Sequence, residues 1–242
     1  MKILAIIPAL NVAHQVGEVI RRVPAGEVNL VLLVDDGSID CTAEVARAAG
    51  ARVVSHKQNE GAGAAIRTGI RYAHEHGFDG VVVLNAIGKF DPADVGSLLS
   101  PLREGDADLV QGSRFVPNGG QRGSPLRRRI GQRGYSLAFS TLLGHRVTDA
   151  SSGIRAFRTA IAYSEGIDLD QQWLNRYELE PYLLWKSIQC GFRVLEVPMS
   201  VHYPPGPRSA YTRMRPVRDW WRLTRPLLIL ATERVRASLM KR

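Results

Sequence analysis

Short apolar runs alternate with segments of helical periodicity along the first half of the chain. The apolar runs predict strands at residues 2–8, 28–34, 51–55, 80–84 and 109–115. Helices are predicted between them, at 16–23, 42–49 and 91–102, and residues 59–63 open a further helix. The run at 80–84 is apolar throughout, as in a strand that is covered on both faces. This alternation is typical of βαβ units, so we expect an α/β fold with a mostly parallel central sheet and helices on both faces.

The pattern is less regular after residue 115. Residues 117–120 predict a loop, helices are expected at 127–143 and 177–189, and strands are expected at 153–157 and 192–201. A proline-rich turn follows at 202–207. From Pro216 onward, a basic and apolar segment predicts a pair of helices that Pro226 breaks.

Length and composition limit the number of domains and the cellular compartment that we expect for this protein. The chain has 242 residues, enough for one large domain or a domain with an extension. Its two cysteines, Cys41 and Cys190, provide no disulfide framework, and we expect both to be structural. No signal-peptide pattern and no segment of transmembrane length is found, which indicates a cytoplasmic protein.

The formal net charge of +9 is compatible with a nucleic acid, an anionic membrane or a phosphate-rich ligand. Arginines cluster at 114–133 and again at 208–225. The first cluster contains no nucleic-acid-binding motif, so we expect no nucleic-acid partner.

Polar residues follow two of the predicted strands, at the carboxyl edge where open α/β sheets bind ligands. Asp35 and Asp36 end the second strand, and such carboxylates either accept hydrogen bonds from a ribose or base, or serve only as turn residues. Asn85, Lys89 and Asp91 follow the fourth strand, and Asp91 precedes Pro92 as a helix N-cap. We therefore expect the ligand site at these turns.

Six motifs in one order make the resemblance specific. They are IIPALN at 6–11, VDDGS at 34–38, NEGAGAA at 59–65, GSRF at 112–115, DASSGIRAF at 149–157 and EVP at 196–198. In this series of motifs the chain resembles a family 2 glycosyltransferase of the GT-A fold, and the resemblance covers about residues 2–215. Within that family it is most similar to the dolichyl-phosphate mannose synthase-like branch, whose members are polyprenyl-phosphate glycosyltransferases.

The resemblance implies roles for individual residues. Those expected to bind the nucleotide-sugar donor are Pro8, Asn11, Asp35, Asp36, Gly61, Gly63, Asn85 and Arg114, the last lying near the donor diphosphate or the acceptor phosphate. Those expected on the acceptor side are Arg133, Asp149, Ser152, Arg155, Glu178 and Arg208. Glu178 and Glu180 match an acidic pattern that lies under the donor sugar. The residues expected to be catalytic are Lys89, Asp91, Asp149 and Arg155.

One departure from the family concerns the metal. The family usually carries Asp-x-Asp and then Gly-Gln after the fourth strand, and the two carboxylates hold a divalent cation on the donor diphosphate. Here Asn85, Ala86 and Ile87 precede Gly88 and Lys89, so neither carboxylate is present. We hypothesise that Lys89, together with arginines, supplies the charge of the missing metal. Mg²⁺ or Mn²⁺ remains the alternative, with Asp91 as a weak ligand; Asp91 could also orient Lys89, or only cap its helix.

Two further departures affect phosphate binding. The family loop with Arg and then Gly-x-Ser-Lys has Pro204 and Ala210 at the two basic positions, although Ser209 is kept and Arg208 is close by. Arg213 and Arg215 also follow nearby. Ala62 stands where a lysine is common. These changes leave the base and the sugar of the donor open, with GDP- or UDP-linked sugars expected.

The mechanism depends on the acceptor. The resemblance implies an inverting transfer from a nucleotide-sugar to a polyprenyl phosphate, which is already an anion and needs no general base. A hydroxyl acceptor on a small molecule or glycan would need a base, for which Asp149 is the first candidate and Glu178 the second. A non-catalytic nucleotide-sugar-binding protein is a third hypothesis, motivated by the missing Asp-x-Asp.

The last part of the chain, 213–242, is expected to be a basic amphipathic helical extension of a catalytic domain at 1–212. Trp220 and Trp221 lie among arginines, a combination that suits a membrane interface. Such a tail could also pack on its own domain or on a second subunit. We expect peripheral attachment to the inner face of the membrane, with a homodimer as the alternative.

Overall fold

The central sheet is built from strands whose neighbouring residues point into two different cores. A computed structural model describes residues 1–203 and the helix at 218–240, with side chains in that helix described for 221–233. In the first strand, Leu4 and Ile6 enter one apolar cluster, whereas Ile3, Ala5 and Ile7 enter the other. Because both faces are covered, the strand is apolar at every position, which explains the continuous apolar runs of the sequence.

The structure has nine strands in the part of the chain that it describes. They are β1 (Ile3–Ala9), β2 (Leu30–Asp35), β3 (Arg52–Ser55), β4 (Gly80–Val83), β5 (Leu109–Ser113), β6 (Gly120–Arg122), β7 (Arg155–Arg158), β8 (Val194–Pro198) and β9 (Ser200–His202). Seven form the main sheet in the order β3-β2-β1-β4-β7-β5-β8, while β6 and β9 form a small parallel sheet. Only β7 runs antiparallel to its neighbours in the main sheet. The predicted α/β class and mostly parallel sheet are confirmed.

Seven α-helices accompany these strands in the described ranges. They are α1 (Ala13–Arg21), α2 (Thr42–Ala48), α3 (Ala62–Glu75), α4 (Gly96–Glu104), α5 (Leu126–Leu143), α6 (Leu179–Gln189) and α7 (Arg218–Met240). Apolar residues of α1, α2 and α4 belong to one core cluster, and those of α3, α5, α6 and α7 belong to the other. Helices therefore cover both faces of the sheet, as expected.

Several predicted elements differ in detail. The predicted helix at 91–102 starts as a 3₁₀ turn (Pro92–Val95) before α4, and Asp91 caps it by accepting a hydrogen bond from Ala93 N at 3.0 Å. The predicted strand at 192–201 is two strands, because Met199 lies buried between β8 and β9. The sequence placed Gly120 in a loop and did not predict the short strand β6, because three residues that begin with a glycine carry no periodic signal.

The prediction of a broken helix pair after residue 216 is wrong. Pro226 lies inside the single helix α7. Its missing N–H removes one helical hydrogen bond, but Leu227 and Leu230 are buried in the core and offset that cost. Cys41 and Cys190 are both exposed, so neither is the buried cysteine that the structural interpretation assumed.

Strand register brings the polar turns together. Ala9 pairs with Asp35 across β1 and β2, and Ile6 pairs with Val83 across β1 and β4. The residues that follow these three strands therefore meet at one edge of the sheet.

Candidate functional site

A cavity of about 1020 Å³ opens at this carboxyl edge. Its wall combines the three strand ends with the start of α3, the segment around Ser152, the start of α6 and the first turns of α7. The residues that line the cavity include Pro8, Asn11, Asp36, Gly61, Asn85, Ile87, Lys89, Arg114, Arg128, Ser152, Arg176, Glu180, Tyr203, Arg222 and Leu223. The cavity therefore lies at the carboxyl edge where the sequence predicts the ligand site.

Asp36 organises one side of the cavity. Its carboxylate contacts His56 Nδ1 at 2.9 Å and accepts hydrogen bonds from the backbone N–H groups of Glu60 and Gly61, both at 2.9 Å. The side chain is buried, and these contacts fix the loop that enters α3. Asp36 lines the cavity as predicted, but the structure also gives it a role in holding the glycine-containing loop.

Asp35 and Asn11 shape the neighbouring turn. Asp35 is buried and accepts a hydrogen bond from Ser38 N at 3.1 Å, and it does not reach the cavity wall. Asn11 adopts a positive φ of 48°, and its side chain accepts from Ile39 N at 2.8 Å. Asn11 and Pro8 lie on the wall.

Gly61 and Gly63 are needed for close packing inside the protein. A Cβ on Gly63 would lie 2.0 Å from the carbonyl oxygen of Leu174, and a Cβ on Gly61 would lie 2.2 Å from that of Asn175. The segment 174–176 therefore passes directly over the start of α3. Gly61 lines the cavity, whereas Gly63 does not; the expectation that both glycines let backbone approach the donor stays a prediction.

The turn after β4 presents a lysine instead of carboxylates. Asn85 accepts a hydrogen bond from Lys89 N at 3.0 Å and so closes the turn. Within the described residues, Lys89 Nζ contacts no hydrogen-bond acceptor. Burial, with the nearby Arg128 and Arg114, lowers the pKa of Lys89 from its ordinary 10.5 to about 7.

Asp91 is bound by other groups. It forms a salt bridge with Arg22 and caps the following 3₁₀ turn, and it is absent from the cavity wall. Its observed contacts are therefore the ion pair and the helix cap.

The residues at the cavity do not fit a divalent cation. In the described part of the chain, no three His, Cys, Asp or Glu side chains are grouped so that they could hold a metal ion. Asn85 and Ile87 occupy the wall near Lys89. Both oxygens of Asp36 already accept hydrogen bonds, so this carboxylate is a poor ligand for a hard cation.

Arg114 is fixed by a bidentate contact with Asp149. Its Nε and one terminal nitrogen each donate to a carboxylate oxygen at 2.6 Å, and its backbone N–H donates to the same carboxylate at 3.0 Å. Although burial lowers the pKa of Arg114, the bonds to Asp149 raise it above its ordinary value. Arg114 reaches the cavity, while Asp149 is fully buried behind it and off the wall. This geometry is that of an anchor for Arg114, and it leaves no carboxylate oxygen free to act as a base.

Arg128 and Tyr203 are among the residues of the site that the sequence did not predict. Arg128 and Tyr203 lie on the wall, with the Arg128 guanidinium 5.0 Å and Lys89 Nζ 5.5 Å from the centroid of the Tyr203 ring. The Tyr203 hydroxyl accepts from Arg114 at 3.3 Å. The available signal was the position of Tyr203 in the turn predicted at 202–207, directly after a predicted strand.

The acceptor-side residues separate into buried supports and wall residues. Arg155 is buried and donates to the backbone oxygen of Ser152 at 2.6 Å and to that of Glu180. Burial lowers its pKa, which Glu180 opposes. Ser152 and Glu180 reach the cavity, whereas Arg155 does not.

Of the two glutamates, Glu180 faces the cavity. Burial raises the pKa of the Glu180 carboxyl, and Arg155 opposes this effect. Glu178 is off the wall, and burial raises its pKa too, opposed in part by Arg222 and Arg225 of α7.

Arg133 is exposed on α5, with its guanidinium 5.1 Å from the ring centroid of Phe115, and it is not on the wall. The predicted acceptor residue Arg208, like Pro204, Ser209, Ala210, Arg213 and Arg215, lies outside the described residues. The sequence did not predict that Arg222 and Leu223 of α7 would form part of the cavity wall.

Comparisons with known proteins agree with this geometry. Residues 4–164 match the glycosyl transferase family 2. The polyprenol monophosphomannose synthase of Mycolicibacterium smegmatis is 35% identical over 205 residues, which cover 81% of this chain and 76% of that protein. The undecaprenyl-phosphate mannosyltransferase of Micrococcus luteus is 33% identical over 209 residues, 83% of each chain.

A solved structure supports the fold. Glucosyl-3-phosphoglycerate synthase of Mycobacterium tuberculosis, in complex with Mn²⁺ and UDP-glucose, superposes with a TM-score of 0.69 at 24% identity, covering 94% of this chain and 76% of that one. At this identity the similarity concerns the GT-A fold alone.

Proposed function

Because the chain belongs to glycosyl transferase family 2 and is a glycosyltransferase, we propose that it transfers a sugar from a nucleotide-sugar to a polyprenyl phosphate. Two relatives named for transfer to polyprenyl phosphates cover more than three quarters of this chain. The observation that carries the proposal is the group of three cations, Lys89, Arg114 and Arg128, on the wall of the cavity. Such a group suits a ligand rich in phosphate.

The proposed reaction is an inverting displacement. A phosphate oxygen of the acceptor attacks the anomeric carbon of the sugar, and the bond from that carbon to the donor diphosphate breaks. The electron pair leaves with the nucleoside diphosphate, whose growing charge the cations stabilise. An acceptor phosphate has no proton to lose, and the occupied carboxylate of Asp149 supports this choice because no base is then required.

We further propose that the cations take the place of a divalent metal. Lys89 follows the turn where the family's metal-binding carboxylates would stand, and its ammonium contacts no carboxylate among the described residues. Preorganised cations stabilise a leaving diphosphate without a bound metal, because they need not reorganise as its charge develops.

Transfer to a hydroxyl is the second candidate function. Glu180 favours it, because this carboxylate faces the cavity and burial raises its pKa toward the range in which it could accept a proton. Under either function, the donor is a GDP- or UDP-linked sugar.

We propose that α7 attaches the protein to the inner face of the membrane. Trp221 and Leu228 are exposed on α7, and the neighbouring α5 exposes Leu126, Ile130 and Leu137. Arginines lie on the same two helices, which suits anionic lipid headgroups. Within the described residues no helix is long and apolar enough to cross a bilayer. A homodimer through this surface is the alternative.

The division into a catalytic domain at 1–212 and an extension at 213–242 remains a proposal. Its boundary falls outside the described residues. The packing of Leu227 and Leu230 in the same core cluster as α5 and α6 indicates that the extension folds onto the catalytic part.

Thermal unfolding with a panel of nucleoside diphosphates and nucleotide-sugars, in EDTA and again in Mn²⁺, tests donor and metal together. A specific ligand raises the midpoint by mass action. We expect a UDP- or GDP-linked ligand to act in EDTA. Stabilisation only in Mn²⁺ would refute metal replacement, and no shift with any nucleotide would refute the donor assignment.

Two additions make this test sharper. The triple substitution Asn85→Asp, Ile87→Asp and Lys89→Gln restores the family's metal motif, so its nucleotide binding should become dependent on Mn²⁺. Turnover assays should then compare undecaprenyl phosphate with undecaprenol. Transfer to the phosphate alone supports the first function, whereas transfer to the alcohol alone favours the second.

A further inference from the structure

We infer that Tyr203 is a positioning residue that holds Lys89, Arg114 and Arg128 in one arrangement facing the donor diphosphate. The inference rests on the proposed function and deepens it. Three elements that are distant in sequence supply the cations: the turn after β4, the end of β5 and the first turn of α5. Tyr203 touches all three.

Each cation meets a different part of the tyrosine. Lys89 Nζ and the Arg128 guanidinium lie 5.5 and 5.0 Å from the ring centroid, within the range of a cation–π contact. Arg114 donates a hydrogen bond to the hydroxyl at 3.3 Å. One neutral side chain therefore attracts three charges that repel one another.

Neutrality is the reason for a tyrosine at this position. Asp149 already pairs with Arg114, so a further carboxylate at position 203 would hold Lys89 and Arg128 together but would cancel a second of the charges that a diphosphate needs. The π face and the hydroxyl oxygen attract cations through partial charges only, so the net charge of the group is preserved. Burial is the main cause of the lowered Lys89 pKa, and Arg128 and Arg114 lower it further, which supports the electrostatic coupling of the three groups.

The backbone fixes Tyr203 independently of the cations. Its N–H donates to the carbonyl of Arg122 at 2.9 Å, and the preceding His202 N donates to the carbonyl of Lys89 at 2.8 Å. A Cβ on Gly123 would lie 2.4 Å from the Tyr203 carbonyl oxygen, so the chain on that side is tightly packed as well. Tyr203 as a whole is 6% exposed. The aromatic side chain is thus a fixed point to which the side chains of Lys89 and Arg128 adapt, while Asp149 anchors Arg114.

The test measures the affinity of the full chain for UDP and GDP by calorimetry in EDTA. Tyr203→Leu removes the ring and the hydroxyl, and we expect the dissociation constant to rise about 5- to 50-fold. Tyr203→Phe keeps the ring and loses only the hydroxyl contact with Arg114, so we expect a rise of about 2- to 5-fold. Turnover should fall in the same order.

Coupling to Lys89 separates positioning from a merely structural role. Tyr203→Leu is therefore measured in the wild-type background and in the Lys89→Met background. If Tyr203 acts partly through Lys89, the fold-loss of affinity must be at least three times smaller in the Lys89→Met background, since the effects of interacting residues are not additive. An equal cost in both backgrounds overturns the inference. Thermal unfolding without ligand verifies that each variant is folded.

If Tyr203→Leu does not fold, Tyr203→Phe decides the matter. A loss below about twofold in affinity overturns the role of the hydroxyl, and with it the arrangement of three cations. If the wild type binds nucleotide and both Tyr203 variants bind it with the same affinity, this inference is refuted and the proposed function stands. Absence of any nucleotide binding by the wild-type chain refutes both.

Discussion

Replacing Lys89 by methionine removes one charge from the cavity while keeping most of the side-chain length. A hydrogen bond to a charged group contributes about 1.5–3 kcal/mol, and about 1.4 kcal/mol corresponds to a factor of ten. At pH 6, where Lys89 is protonated, we therefore expect Lys89→Met to weaken nucleoside diphosphate binding in EDTA by about 10- to 150-fold. Calorimetry with UDP and GDP measures this difference.

The pH dependence makes the prediction specific to Lys89. Burial lowers the pKa of Lys89 to about 7, so above pH 7 most of the ligand-free protein has a neutral Lys89. To bind the diphosphate with a charged ammonium, the wild-type protein must then take up a proton. The advantage of wild type over Lys89→Met should then shrink about tenfold per pH unit from 7 toward 9. Titration of the nucleotide itself is common to both proteins and cancels in the ratio.

Stability provides an independent readout of the same group. Between pH 7 and about 10, the unfolded chain keeps the Lys89 proton that the folded chain has released. The free energy of unfolding of the ligand-free wild type should therefore contain a component that rises with pH across this window and that is absent from Lys89→Met. At pH 6 the variant should unfold at a higher temperature than wild type, because no ammonium is buried.

Lys57→Met is the matched control. Lys57 is exposed and is not on the cavity wall, so its removal should change nucleotide affinity less than twofold, as for surface charges in general. A wild-type to Lys89→Met affinity ratio that stays constant from pH 6 to pH 9 would refute the reasoning. So would equal binding by the two proteins in EDTA.

Three further predictions concern other parts of the site. Gly63→Ala should lower the free energy of unfolding by about 1–3 kcal/mol, since its Cβ would meet backbone oxygens. Gly134→Ala, where a Cβ meets nothing within 4 Å, should be neutral or stabilising. Equal midpoints of urea unfolding for the two variants would contradict this. Asp149→Asn should lower the thermal midpoint and weaken diphosphate binding together, because it unpairs a buried arginine; lost turnover with unchanged stability and binding would instead identify a base. Trp221→Ser should reduce sedimentation with anionic phosphatidylglycerol vesicles more than Tyr163→Ser does, and equal effects would argue against docking through α7.

The sequence predicted the parts of the site that depend on strand ends. Apolar runs located β1, β2 and β4, and the carboxyl-edge rule then placed Asp36 and Lys89 near one another, as the cavity has them. The absence of two acidic residues after β4 was visible in the sequence itself and led directly to Lys89. These inferences needed only local pattern and one rule of sheet topology.

What escaped prediction depends on side chains that meet over long sequence distances. Nothing local to Asp149 indicates that Arg114 occupies both of its oxygens, and nothing local to Tyr203 indicates that a ring there meets two cations. Pro226 suggested a helix break, because local propensity cannot account for the burial of Leu227 and Leu230. In each case tertiary packing decided the outcome.

The contribution of α7 to the cavity wall limits how far the chain can be shortened for expression. Arg222 and Leu223 line the cavity, and Leu227 and Leu230 complete the core beneath. An expression fragment that stops near residue 212, where the sequence predicts the end of the catalytic domain, would open one side of the pocket and expose apolar core to solvent. Inactivity or aggregation of such a fragment would therefore say nothing about the chemistry of the enzyme, and functional work should use a chain that includes α7.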